Sequence, residues 1–324
     1  MTTAADNHEL VIGIDVGGTK IAFGLVEFPA VLATHRQVIR TDPNRGGAAV
    51  LDDVVQLATQ LASDVAQRGG RVGGIGLGIC ELVDREGNLA SENCIRWLDQ
   101  PVRQRLSEIA LLVIEADVRA AALAEAIAGE GRSFETFLFV TIGTGISCCL
   151  MQNGRAYLGA HGFTGTMASS PLTHHCESCG HIDERTLEDI AAGPALLARF
   201  NAIHGSANTS EEVVRAAASG HPIAAQVIRS ASEALGAQIG MLVNVLDPEA
   251  VILGGGIGVS DGFYQTQLTA SIRRHIWSQR HRDLPIVRAK TGADAGWIGA
   301  AAAAHRQLFS SQPVPSNVQT TTSA

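Results

Sequence analysis

Residues 9–27 read ELVIGIDVGGTKIAFGLVE: an apolar run, a turn carrying Gly17 and Gly18, and a second apolar run. This is the pattern of a β-hairpin closed by a glycine-bearing turn. It returns at 137–159, FLFVTIGTGISCCLMQNGRAYLG, with the turn at Gly143 and Gly145 and a further turn at Asn153-Gly154. Two copies of one hairpin, separated by roughly half the ordered chain, predict two similar domains facing each other across a cleft.

Between the copies, LDDVVQLATQLASDVAQRG (51–69) has helical apolar spacing, and RVGGIGLGIC (71–80) reads as a buried strand. DVRAAALAEAIAGEG (117–131) is an alanine-rich helix that stops at glycine. After the second hairpin, helical stretches at 187–205, 211–219 and 224–248 lead to a short strand, AVIL (250–253), and to Gly254-Gly255-Gly256. Alternating strands and helices predict an α/β architecture with mixed sheets covered by helices. The predicted division is a small N-terminal α/β domain over 1–117 and a larger C-terminal one over 118–308. A final helix at about 294–308 is expected to pack back on the N-terminal domain, and the tail over 309–324, without apolar periodicity, is predicted disordered.

With 324 residues, 46% of them hydrophobic and 17% charged, the chain can bury a core large enough for two domains. A formal net charge of −8 and the lack of any Lys/Arg-rich run argue against nucleic acid or an anionic membrane surface as partner. The opening MTTAADNHEL has no basic region followed by an apolar stretch, and no window is apolar enough to span a bilayer, so a cytoplasmic location is expected. Six cysteines are too few for a disulfide framework and suit a reducing compartment. Cys80, Cys94, Cys148 and Cys149 are expected to be small buried apolar side chains.

Phosphoryl transfer from ATP requires backbone N–H donors near the phosphates, a carboxylate for the metal, and a base for the acceptor's proton. In Asp15-Val16-Gly17-Gly18-Thr19-Lys20 the glycines admit phosphate oxygens to the backbone, Asp15 can hold Mg²⁺ through water, and Thr19 and Lys20 can donate. Gly143-Thr144-Gly145 offers similar donors from the other domain, and Gly254-Gly255-Gly256 clears side chains where an adenine or ribose could lie. Each cluster alone is a common steric device; the three together point to one nucleotide site. Neither a GxxxxGK[ST] loop nor a strand–GxGxxG–helix unit with a following acid occurs in the right setting, which excludes P-loop and Rossmann readings.

These segments resemble the ROK family of sugar kinases and repressors from Val11 to about Leu308: DVGGTK (15–20), EADVRAAALAE around Asp117, TIGTG (141–145), GAHGFTGTM (159–167), LEDIAAGPAL (187–196) and ILGGGI (252–257). The resemblance implies an actin-like (ribonuclease H-like) two-domain kinase fold, Asp117 as catalytic base, Glu188 near the anomeric end of the sugar, and a homodimer. Asp117 can also cap the alanine-rich helix. Three sugar contacts depart from the family pattern: Ala116 replaces an Asn, and Thr166 and Ser169 stand for a Glu and a His. Glu81, in CELVD (80–84), replaces a glycine beside the sugar. The expectation is a kinase acting on the hydroxymethyl group of a hexose-like substrate, with a 3-amino sugar of the kanosamine type suggested by Glu81 and Ala116. Glucose, mannose and a C7 cyclitol are the alternatives.

The family's structural zinc is represented here only by Cys176 and Cys179, with His174, His175 and His181 nearby; Cys176, Cys179, His175 and His181 are the expected Cys₂His₂-type ligands. A repressor would need a helix-turn-helix unit, for which about ten residues before the first strand are too few. An inactive sugar sensor is the remaining alternative, against which Asp15, Asp117 and the three glycine turns weigh.

Overall fold

The protein is described here from a computed structural model covering residues 9–309 apart from Cys176, His181 and His204. The predicted tail beyond 309 lies outside the described residues.

The first hairpin is β1 (Glu9–Val16) and β2 (Lys20–Phe28), antiparallel, closed where the Gly17 N–H donates to the Lys20 carbonyl at 3.0 Å. There follow β3 (Leu32–Arg40), α1 (Gly47–Gln67), β4 (Val72–Ile79), α2 (Val102–Ser107) and β5 (Leu112–Ala116). The five strands form one sheet in the order β3-β2-β1-β4-β5, with β4 and β5 parallel to β1. Helix α1 covers it with a stripe at helical spacing, Val50, Leu51, Val54, Ala58, Leu61 and Val65, all buried.

Helix α3 (Asp117–Ala128) leads to the second unit: β6 (Thr136–Ile142), β7 (Ile146–Gln152), β8 (Arg155–Ala156), the hairpin β9 (Pro171–His175) and β10 (Ile182–Thr186), α4 (Glu188–Ala191), α5 (Gly193–Asn201), α6 (Ser210–Ala218), α7 (Pro222–Leu246), β11 (Ala250–Gly254), α8 (Gly255–Gly258), α9 (Phe263–His275), β12 (Ile286–Arg288) and α10 (Ala295–Phe309). Its sheet runs β8-β7-β6-β11-β12, with β7 antiparallel and β11 parallel to β6. This is the first sheet's order again, strand for strand. The Gly143 N–H closes the second turn on the Gly145 carbonyl at 3.0 Å, and Asn153 and Gly154, both at positive φ, make the tight turn into β8. The repeated hairpin thus belongs to a repeated sheet, and the architecture is the expected actin-like α/β fold.

The helical spacing over 187–205 is not one helix. It breaks at Ala192-Gly193, because the Gly193 N–H donates to the Gly143 carbonyl at 2.8 Å and Pro194 has no N–H to give. That break ties α5 to the second glycine turn.

Helices α3 and α10 lie between the two sheets. Their small residues share one buried cluster with Val11, Ala22 and Val26 of the first sheet and Phe137, Phe139, Ala250 and Ile252 of the second. Helix α10 lies with its backbone directly on the first sheet: a Cβ on Gly13 would sit 2.0 Å from the Trp297 carbonyl oxygen, and one on Gly76 1.9 Å from that of Ala300.

Candidate active site

Strand register gathers the site. Asp15 pairs with Gly78, Val16 with Ile79, and Ile79 with Ala116, so the 17–20 turn, Cys80-Glu81 and Ala116-Asp117 emerge together at the carboxyl end of the first sheet. At the matching end of the second sheet, Gly254 pairs with Thr141, which puts the 143–145 turn beside Gly254–Gly256. A Cβ on Gly143 would lie 3.8 Å from the Gly256 N, and Gly255, at φ +78 and pressed on the Ile142 carbonyl, admits no side chain.

Asp117 is the first residue of α3, and its Oδ1 accepts the Val118 N–H at 2.6 Å; the N-cap position is Ala116, so Asp117 is not the side-chain cap that the sequence suggested. Burial raises its carboxyl to about 6; the Val118 bond opposes this, the Glu81 carboxylate adds to it, and Arg119 opposes it. Asp15 is pushed up to about 7 by burial first and then by Asp117, with Lys20 opposing. The first turn of α10 closes against Asp15: a Cβ on Gly296 would fall 2.2 Å from its Oδ2. A half-buried carboxylate beside a phosphate-type turn fits a cation-assisted role, and Asp15 is the residue that would hold Mg²⁺.

Glu81 does not do what the sequence suggested. It is 5% exposed and its carboxylate is used up internally: Oε1 accepts the N–H groups of Cys94 (2.6 Å) and Ile95 (2.7 Å), and Oε2 accepts the Ser91 hydroxyl (2.5 Å) and the Asn93 N–H (2.8 Å). With four bonds on two oxygens, no lone-pair direction is left for a substrate ammonium. Glu81 anchors the 91–95 loop, whose far end is pinned where the Trp97 indole donates to the Gly47 carbonyl at 2.8 Å. Its partners are one hydroxyl and three backbone N–H groups ten to fourteen residues away, and no local pattern in the sequence marks that pairing.

Glu188 lies at the second turn, its Oε1 accepting the Ile146 N–H at 3.0 Å. Thr166 and Ser169 are exposed, and Phe163 of the same loop is 39% exposed. Ala116 ends β5 next to Asp117. Thr19 and Lys20 are exposed at the first turn, and Thr144 sits between Gly143 and Gly145 at the second. Of the expected metal ligands, Cys176, His181 and the His175 side chain lie outside the described residues; Cys179 is exposed.

Two features went unread in the sequence. Arg119, 3% exposed, donates to Glu115, to the Gly162 carbonyl (2.5 Å) and to the Val83 carbonyl (3.0 Å), tying α3 to the 83 and 162 segments around Asp117. It sits in the alanine-rich run, and a charge there reads as an exposed face. Cys80 and Cys94 are half-buried, where full burial was expected; Cys148 and Cys149 are buried as expected. Cys94 Sγ packs on the first turn, 2.7 Å from where a Cβ on Gly18 would be.

Comparison with known proteins bears on this arrangement. The chain is 29% identical over 303 residues to the bifunctional enzyme NanE/NanK of Brucella melitensis biotype 1, a match over 92% of this chain and 54% of that protein, so it spans about half the length of that relative. It is 26% identical over 315 residues to the glucokinase of Streptomyces coelicolor, covering 90% of this chain and 96% of that one. Among solved structures, the ROK hexokinase of Thermus thermophilus superposes with a TM-score of 0.74 at 31% identity, over 92% of this chain and 98% of that one. The ROK family profile matches residues 11–307, and the chain belongs to the ROK family.

Proposed function

We infer that this chain is an ATP-dependent sugar kinase whose acceptor is the hydroxymethyl group of a neutral, hexose-like polyol. The observation that carries this reading is the convergence of Asp15 and Asp117 at the carboxyl end of one sheet, with the glycine turns of the other sheet at its equivalent end. In this reading Asp117 takes the acceptor's proton as the oxygen attacks the γ-phosphorus, and backbone N–H groups of the turns hold the phosphate oxygens. Mg²⁺ at Asp15 would neutralise phosphate charge when bound. Names of the relatives, glucokinase and hexokinase among them, support a sugar acceptor.

A neutral acceptor is favoured over kanosamine because Glu81, the one carboxylate that suggested an ammonium, already accepts four bonds. A coupled ADP-release screen over glucose, mannose, N-acetylated hexosamines, kanosamine and a C7 cyclitol tests this, followed by identification of the phosphorylated carbon. The expected outcome is a higher kcat/KM for a neutral polyol than for kanosamine. Preference for kanosamine would reverse the substrate assignment, and sugar binding with no ADP release from any acceptor would leave a sensor in place of an enzyme.

A further inference from the structure

Cys80 and Cys94 converge under the first glycine turn by three independent contacts. The Cys80 N–H donates to the Val16 carbonyl at 3.2 Å, which seats Cys80 at the start of the turn. The side chain of the next residue, Glu81, grips the Cys94 N–H at 2.6 Å, which holds Cys94 over the end of β4. The Cys94 sulfur lies against Gly18, where a Cβ would come within 2.7 Å. We propose that Cys80 and Cys94 are an oxidisable thiol pair that hydroperoxides close to an intramolecular disulfide, and that closure disables the Gly17-Gly18 turn.

The two thiols have different characters. The neighbouring Cys80 side chain lowers the Cys94 thiol, while burial and the Glu81 and Asp117 carboxylates oppose its ionisation. Cys94 in turn, and then burial, raise Cys80. Cys94 is therefore the attacking sulfur and Cys80 the resolving one. The Cys94 thiolate attacks the peroxide O–O bond, gaining one oxygen as sulfenic acid and releasing hydroxide or alkoxide. The Cys80 sulfur then attacks the sulfenic sulfur, the S–S bond forms, and the sulfenic oxygen leaves as water with the Cys80 proton accounted for. With hydrogen peroxide the balance is two thiols and one peroxide to one disulfide and two waters. A disulfide draws the sulfurs to about 2 Å, closer than any thiol contact, and so pulls Cys94 off the Gly18 backbone it supports. The other pair that could compete is Cys176 with Cys179.

The experiment treats the full-length protein with hydrogen peroxide, with and without ATP, maps disulfides by non-reducing peptide mass spectrometry, and compares ATP kcat/KM before and after dithiothreitol. The expected result is a peptide joining residues 80 and 94 with the loss of two hydrogens, a tenfold or greater fall in kcat/KM that dithiothreitol reverses, and slower closure with ATP bound. In Cys94→Ser and, separately, Cys80→Ser, the ratio of oxidised to reduced activity should stay near one. Oxidation that maps only to Cys176 and Cys179, or an 80–94 bond that leaves kcat/KM unchanged, would overturn the proposal. The mapping needs no turnover, so it decides the thiol chemistry even if a variant folds poorly or the acceptor is wrongly assigned.

Discussion

In the proposed kinase reaction Asp117 is the base, and its environment sets a pH dependence with a definite sign. A carboxyl raised to about 6 must be ionised to accept a proton, so kcat/KM should rise with pH through about 6 and level off above it. Asp117→Asn removes the acceptor and should lower kcat by about 10²–10⁴-fold with little change in ATP affinity, as measured by steady-state kinetics and nucleotide titration. Activity within tenfold of wild type would remove the base assignment. Arg119 acts on that base from behind. Its positive charge lowers the Asp117 carboxyl, so Arg119→Gln should move the acid limb of the profile to higher pH. Arg119→Lys keeps the charge but loses the fork that reaches both Gly162 and Val83, so it should leave the limb near its place and raise KM for the acceptor. A role in stability alone would shift neither.

Among the elements, α10 shows how glycine placement decides packing. Gly76 meets the Ala300 carbonyl, and a methyl there would need to occupy the space 1.9 Å from that oxygen; on Gly299 it would be 1.7 Å from the Ala120 carbonyl oxygen. Both obstacles are backbone, so neither can rotate away. Gly76→Ala should destabilise by about 3 kcal/mol or more in urea unfolding, the upper range for overpacking. Gly69, at φ +78 with nothing within 4 Å of its would-be Cβ, is the matched control. Gly69→Ala bears only the left-handed backbone cost of about 1–2 kcal/mol. Equal losses at the two positions would mean that α10 does not sit as closely as its contacts imply. The 91–97 loop is held differently, by the Glu81 carboxylate and the Trp97 indole, with polar anchors at both ends of an otherwise irregular segment.

For the whole molecule, α3 and α10 are the material between two like sheets. The last helix of the described residues is thus packed on the first strands, and the cluster it completes includes residues of both sheets. A chain ending at Asp294 should therefore fail to fold cooperatively, exposing apolar surface to a hydrophobic dye, whereas one ending at Phe309 keeps the cluster intact. Thermal melts of the two would check this. A sharp native-like transition in the shorter chain would show that α10 is dispensable. The division at residue 117 expected from the sequence falls where β5 gives way to α3.

The hairpins around Gly17-Gly18 and Gly143-Gly145 could be read directly because alternation and turn chemistry are local: apolar runs and glycines within a few residues of each other dictate them. The helices α1 and α7 followed from their apolar spacing and α3 from its alanine-rich run ending at glycine, while Asp117 is picked out by its match to the family motif directly before that run. Tertiary structure alone decided the rest. Glu81 looked like a substrate contact until four donors from Ser91 to Ile95 filled its oxygens, and Arg119 drew no notice until the fold brought the Val83 and Gly162 carbonyls to it. The packing of Cys94 under Gly18, and of α10 on Gly13 and Gly76, likewise depends on segments distant in sequence that meet only in the folded chain. Periodicity records which face of an element is apolar; which distant backbone donor or carbonyl will meet a given side chain is set by packing, and no local pattern encodes it.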